Sequence, residues 1–377
     1  MPATATRIGR RWPEPPWMGN DVGGHIAVNP NRTPLRRFDA NADTDTEKTI
    51  MKYRHPMTKL FVFCSLLAMS LLLQSAAHAA APFARTSAPG FYRFMLGGYE
   101  ITALNDGTLE LPVDQFLTNT TPQKVNETLA EDYLQSPLET SYNAFLINTG
   151  AKLILIDTGA GNIFGPHLGR LTANMKASGY APSQVDEIDI THMHADHIGG
   201  LTTDGDMRFP NAIVRVNRRE LDYWLSEANM AKAPEGNRGD QKGSYRRAMT
   251  IMEPYIRAGR VRPFDGAQEL SPGIHAYQSA GHTPGHVGYM IESQGNRLMV
   301  VGDIVHVAAV QFEDPTVTVS FDSDSQLAEQ ERIKEFTRIA NDKILFAAAH
   351  VPFPGLGHLQ ADKHGFRWIP INYSAGK

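Results

Sequence analysis

Residues 191–200, THMHADHIGG, place His192, His194, Asp196 and His197 within six positions of a 377-residue chain that has 14 histidines in all. The run before them, VDEIDI (185–190), has strand character, and in an extended backbone residues two apart point to the same side. The imidazoles of His192 and His194 can therefore meet one metal ion. Asp196 and His197 come after the chain turns, and Gly199 and Gly200 free the backbone to bend, so this pair can be aimed at a second ion beside the first. Imidazole and carboxylate suit zinc, and also iron or manganese. A polar surface loop accounts for one histidine easily, but poorly for H-x-H-x-D-H after an apolar strand.

Three further stretches end apolar runs on the same residue types. SAGHTPGH (279–286) presents His282 and His286, VVGDIVH (300–306) presents Asp303 and His306, and FAAAH (346–350) presents His350. A carboxylate such as Asp303 is costly to bury alone, and a metal ion removes that cost. His286 reads as a supporting or capping histidine, and His358 as structural. Asp157 in LIDTG either orients a ligand or stabilises a turn.

Regular elements have to bring these positions together. YEITALNDG (99–107), NAFLINTG and AKLILIDTG (143–159), and NAIVRVN (211–217) have strand patterns, and 166–179, 218–229 and 241–258 have helical spacing. In the helical stretch 166–179, Leu168, Leu171 and Met175 share a face and Gly179 is the stop. The second half repeats the theme. Strands are expected at 273–281, 287–293, 296–303 and 343–350, with a helix at 323–342. Two sheet-and-helix halves packed together, with polar residues gathered at strand ends, account for the pattern.

The composition is that of a globular chain, 42% hydrophobic and 20% charged. Residues 1–50 show no apolar period and read as a disordered or mis-annotated extension. Residues 51–79 have the parts of an export signal: Lys52, Arg54 and Lys59, then LFVFCSLLAMSLLL, then AHA. The apolar run is short for a membrane anchor. Residues 80–377 then form the mature domain, periplasmic or secreted. Without the 10 basic and 6 acidic residues of 1–79, 26 basic and 34 acidic residues remain, a net charge of −8. That excess of acid argues against a nucleic acid or an anionic membrane as partner. The single cysteine, Cys64, lies inside the signal, so disulfide and thiol chemistry are excluded from the mature domain.

From about residue 85 onward the chain resembles the metallo-β-lactamase superfamily. The strand LILIDTG, then THMHADHIGG, GHTPGH, GD and the late histidine occur in that family's order. The resemblance implies an α/β fold, a four-layer αββα sandwich. It also implies a ligand set. His192, His194 and His282 would hold one metal, Asp196, His197 and His350 the other, and Asp303 would bridge both. TSAPGFYRFMLGGYEITALNDGT, AAVQFEDP, FDSDS and HVPFPGLGHL look like the methyl parathion hydrolase branch. That branch implies a secreted or periplasmic homodimer with two divalent ions per chain, Zn2+ in its known members. By position its aromatic pocket falls on Phe164, Trp224 and Tyr245, each of which would also serve as core packing.

The chain departs from the branch's organophosphate hydrolases at three wall positions. His306 replaces an aliphatic residue, Phe116 an arginine and Phe321 a leucine. A flatter, aromatic-lined slot suits a lactone or aryl ester better than a bulky tetrahedral phosphotriester. The expected reaction is attack by a hydroxide bridging two metals on a lactone or aryl ester, with organophosphate triester hydrolysis as a side activity. Asp303 bridges the ions, Asp196 can also shuttle the proton, and His306 can hydrogen-bond the substrate or leaving group. Two alternatives remain: a phosphotriesterase as the main activity on the same ligands, and a mononuclear iron oxygenase that would use part of the set.

Overall fold

Apolar side chains alternate along the strands, and each alternate set packs into a different layer. In the first half, Ile101, Ala103, Phe145, Ile147, Ile154 and Ile156 face one way, and Leu104, Ala144, Leu146, Leu153 and Leu155 face the other. A strand buried on both faces belongs to a sheet covered on both faces. The computed structural model describes residues 81–234 and 241–374. Residues 81–86 carry no regular secondary structure, and the unit described here begins at Ser87. The expected extension (1–50) and export signal (51–79), with Cys64, lie outside the described residues.

The first sheet has seven strands: Phe91–Leu96, Tyr99–Leu111, Leu138–Asn148, Leu153–Ile156, Glu187–Asp189, Ile213–Asn217 and Val261–Phe264. Their spatial order is their chain order. The second sheet also has seven, again in chain order: Gln268–Ser271, Ile274–Gln278, Val287–Ser293, Asn296–Val300, Leu345–Ala347, Leu356–Ala361 and Phe366–Pro370. Neighbours joined by short turns are antiparallel. Four pairs are parallel, each across a longer connection, as between Asn296–Val300 and Leu345–Ala347, where the helix Ser325–Asp342 crosses over; Tyr99–Leu111 and Leu138–Asn148 stay antiparallel although the helix Pro122–Glu131 lies between them.

The inner faces of the two sheets meet in one core, with Ile101, Phe145 and Ile156 against Ile274, Tyr289, Ile291 and Val300. The outer face of the first sheet is covered by the helices Leu171–Ala177, Arg218–Trp224 and Gln241–Arg257, which contribute Met175, Trp224, Tyr245 and Met252. The outer face of the second is covered by Ser325–Asp342, through Phe336 and Ile339. The result is the expected αββα sandwich. No helix among the described residues is long and apolar enough to cross a membrane.

A smaller cap joins the two halves. Leu117–Thr118 pairs with Thr318–Val319, and Val113, Leu117, Val125, Val307, Val310 and Val319 form its core. This pairing sets Phe116 beside Phe321, ring centroids 5.4 Å apart. The segment after Asp303 is fixed by Arg332, fully buried, which donates to the carbonyls of Ile304, Pro315 and Val317.

Some expected elements are shorter. The helix expected over 166–179 spans Leu171–Ala177, and Leu168 is buried in the loop before it. Gly165 and Gly169 hold positive φ there, and the Asp106 carboxylate takes the N–H groups of Gly169 and Leu171. The helix expected over 218–229 breaks in two, because Ser226 caps a new helix by accepting from Asn229 N.

Candidate metal centre

The strand Glu187–Asp189 delivers the histidine stretch to the edge of the sandwich core. His192 and His194 follow in extended backbone, and Asp196 and His197 stand on the single turn Ala195–Ile198. The second sheet supplies His282 from the loop after Ile274–Gln278, Asp303 just past Asn296–Val300, and His350 just past Leu345–Ala347. Seven side chains expected to act together thus come from five strand ends, loops or turns.

They form two groups with one member in common. His192, His194, His282 and Asp303 make the first, and Asp196, His197, Asp303 and His350 the second; within each, the donor atoms lie within 4.8 Å of one another. His194 Nδ1 lies 3.0 Å from both His192 Nε2 and His282 Nε2. In the second group, His197 Nε2 is 3.1 Å from Asp303 Oδ1, and His350 Nε2 is 3.4 Å from Asp196 Oδ2 and 3.2 Å from Asp303 Oδ2.

The outer ring atoms determine which lone pairs face inward. His197 Nδ1 donates to Asp157 Oδ2 at 2.8 Å, His282 Nδ1 to Asp322 Oδ1 at 2.8 Å, and His350 Nδ1 to the Ser141 carbonyl at 3.1 Å. Thr191 Oγ1 donates to Asp157, so it accepts from His192 Nδ1 at 3.1 Å. Four imidazoles therefore turn Nε2 toward the centre, the atom a metal-binding histidine offers once a metal displaces any proton there. His197 Nε2 and Asp303 Oδ1 are buried without a hydrogen-bond partner although they face each other. Two lone pairs in that position would repel, so a cation is needed between them, a proton in the metal-free chain or a metal ion in its place. The residues present fit a pair of divalent ions.

The electrostatics agree. Without metal, burial would lower the pKa of His350, but the carboxylates of Asp303 and Asp196 outweigh it and push it up to about 10. His197 is likewise raised well above the usual range, burial being outweighed by Asp303, Asp196 and Asp157. In the metal-free chain these protons balance charge that divalent ions would otherwise neutralise. Burial, then the neighbouring His282, push His194 down to about 3. Burial would raise Asp303, but His197, His350, His306 and His192 hold it well below the carboxylate range.

His286 is placed as a support. Its Nδ1 pairs with Ser279 Oγ and its Nε2 accepts from Asp303 N at 3.0 Å, so both nitrogens are occupied and Asp303 is held from behind. Asp157 performs both roles open to it: it takes a positive φ of 60° at the turn and orients His197. His306 is buried with neither ring nitrogen hydrogen-bonded, its Nε2 3.1 Å from Asp303 Oδ2. Phe321 packs edge-on against His306 and His282. Trp224 lies edge-on to His194 at 5.4 Å, with Tyr245 against its other side at 4.9 Å. Phe164 stands further out, packed on Tyr142, Ala160 and Leu168, and Tyr142 in turn meets the edge of His350.

Three residues are not foreseeable from the pattern. Asp322 orients His282, Ser141 orients His350 through its carbonyl, and Glu220 is buried among the histidine loops. Asp322 sits in FDSDS, an acidic stretch beside a helix start that resembles a capping signal. Ser141 acts through its backbone and leaves no side-chain trace.

A family model described as the metallo-beta-lactamase superfamily matches residues 138–348. An N-acyl homoserine lactonase of Bacillus cereus is 25% identical over 166 residues, 44% of this chain and 56% of its own length. The chain thus spans little more than half the length of that curated relative. Among solved structures, the hydrolase AbOPH in the beta lactamase superfamily is 38% identical with a TM-score of 0.73, over 77% of this chain and 100% of that one. AidC, a dizinc quorum-quenching lactonase in complex with a product, is 26% identical with a TM-score of 0.68, over 76% of this chain and 98% of its own.

Proposed function

The chain belongs to the metallo-beta-lactamase superfamily, and on that premise we propose that it is a dinuclear zinc hydrolase that opens a lactone or an aryl ester. The observation that carries the reading is the pair of four-residue groups sharing Asp303. Two divalent ions held by these groups would supply Lewis acidity to the substrate oxygen and bring the ionisation of a water between them toward neutral pH. His192, His194 and His282 would hold one, Asp196, His197 and His350 the other, and Asp303 both. Asp196 is the carboxylate open to the pocket, its side chain 19% exposed against 3% for Asp303. It receives the proton released as the acyl carbon is attacked. His306, with two unsatisfied ring nitrogens, hydrogen-bonds the substrate carbonyl or the departing oxygen. Phe116, Phe321 and Trp224 wall the site, with Tyr245 backing Trp224 and Phe164 further out, and together they limit access of bulk water.

The lactone preference rests on the aromatic wall and on the lactonases among the relatives. The deciding experiment measures kcat/KM for dihydrocoumarin, an acyl-homoserine lactone and methyl paraoxon on zinc-loaded protein. A phosphotriester preference of about a hundredfold, roughly 2.7 kcal/mol in transition-state binding, would reverse the ordering. Iron without zinc in the purified protein would favour an oxygenase. We also propose that residues 51–79 export the chain to the periplasm or medium and that it works as a homodimer. N-terminal sequencing of the exported protein tests the first, and sedimentation the second.

A further inference from the structure

We propose that Glu220 is the positioning residue that locks the two histidine loops of the first metal group to each other and to the aromatic wall. Resting on the dinuclear reading above, the inference assigns this glutamate a role in metal affinity and substrate seating. Glu220 is fully buried on the helix Arg218–Trp224, and both carboxylate oxygens are doubly occupied. Oε1 accepts from Met193 N at 2.9 Å and from Trp224 Nε1 at 2.7 Å. Oε2 accepts from Thr283 Oγ1 at 2.9 Å and from Gly285 N at 2.8 Å. Met193 stands between the ligands His192 and His194, and Thr283 is next to the ligand His282. One carboxylate therefore spans the loops whose imidazole nitrogens meet at 3.0 Å.

All four bonds come from neutral donors. A carboxylate buried on such terms needs its acceptors filled. The second loop approaches to make them: a Cβ built on Gly285 would lie 2.3 Å from Glu220 N and 2.9 Å from its Cα. Gly285 does not hold a positive φ, so the demand is for space. The loop docks against the helix backbone as only glycine allows. Trp224 hangs from the same oxygen as Met193, so the wall beside His194 is set by the group that sets the ligand loops.

The test compares wild type, Glu220→Gln and Thr283→Val by stepwise metal titration against a competing chelator. The visible spectrum of cobalt-loaded protein is recorded for each, together with the melting temperature of the metal-free form. In Glu220→Gln the amide oxygen can still serve Met193 and Trp224, but its NH2 then meets the Gly285 N–H, donor against donor. One binding step should weaken about 10- to 100-fold and the other by no more than about threefold, with a changed cobalt spectrum. Thr283→Val removes one neutral donor at near-constant shape. It should weaken the same step several-fold while the metal-free melting temperature stays close to wild type. Wild-type affinity at both steps in both variants would overturn the inference. So would equal weakening of both steps in parallel with a fall in metal-free stability, since that is a folding role alone. If Glu220→Gln fails to fold, the step selectivity of Thr283→Val decides. Wild-type protein that holds fewer than two ions would sink the dinuclear reading and this inference with it. Two ions in wild type and two unweakened ions in the variants would sink the inference alone.

Discussion

Asp157→Asn isolates the effect of orienting a ligand from the effect of holding a turn. Asp157 takes a φ of 60°, where asparagine sits as easily as aspartate, so the backbone is undisturbed. Alanine there would add left-handed strain and confuse the result. The carboxylate accepts three bonds of 2.8 Å, from Thr191 N, Thr191 Oγ1 and His197 Nδ1. An amide has one acceptor oxygen. If that oxygen stays on Thr191 N, the NH2 faces His197 Nδ1, and His197 must move its proton to Nε2. That proton then points at the space shared with Asp303 Oδ1, 3.1 Å away, where a lone pair is required. Losing such an outer partner weakens metal binding by about 10- to 100-fold, roughly 1.4–2.7 kcal/mol. That matches the net worth of about 1.5–3 kcal/mol for one hydrogen bond to a charged group. In a chelator-competition titration the step belonging to Asp196, His197 and His350 should shift by this amount, and the other by less than about threefold. Wild-type affinity at both steps, or equal weakening of both, would refute the orienting role.

Removing metal with a strong chelator should abolish hydrolysis and lower the melting temperature, and zinc should restore both. At free zinc near 1,000 times the dissociation constant each ion stabilises by about 4 kcal/mol, which calorimetry reads directly. Asp106, 1% exposed, accepts from the N–H groups of Ala160, Gly169 and Leu171 and so ties down both ends of the loop that carries Phe164. Asp106→Asn leaves one acceptor fewer, so steady-state kinetics should show KM rising about five- to tenfold with kcat nearly unchanged. Asp189 is fully buried; burial first, and Glu187 second, push its carboxyl well above the usual range, so the folded chain keeps a proton there. A group raised in this way stabilises below its unfolded value and loses that contribution as pH rises through the folded one. Urea midpoints of metal-free wild type and Asp189→Asn should therefore separate as pH rises above the ordinary carboxylate value of 3.8, in favour of the variant, by up to about 1.4 kcal/mol per pH unit.

The candidate metal ligands are legible because several of them end apolar runs and the rest stand in dense His and Asp clusters just past a strand. A strand-length hydrophobic stretch that stops on His or Asp states both where the chain goes and what waits there, as at Asp303 and His350. The strand over 287–293 matches its expected bounds because the Gln294-Gly295 turn closes it. What surrounds the ligands is less legible. Glu220 lies on an amphipathic helix in RREL, where a charge normally marks the solvent face, and only the arrival of Thr283 and Gly285 from another sheet makes it an acceptor. The helix Pro122–Glu131 has helical spacing but buries only Val125, Thr128 and Leu129, a stripe too thin to stand out, and the two C-terminal strands lack a clean period. The cap pairing of Leu117–Thr118 with Thr318–Val319 spans about 200 residues of chain, and no local signal can announce it.

Because both large sheets are laid down in chain order, the backbone passes from one to the other once, between Phe264 and Gln268. His192, His194, Asp196 and His197 precede that passage; His282, Asp303 and His350 follow it. A growing polypeptide consequently exposes half a cage long before the other half exists. At a synthesis rate of about 5–20 residues per second, the 153 residues between His197 and His350 take on the order of 8–30 s. On the dinuclear reading, the complete cage exists only once the second sheet has been made, so the first sheet would form around four candidate ligands whose partners are still to come.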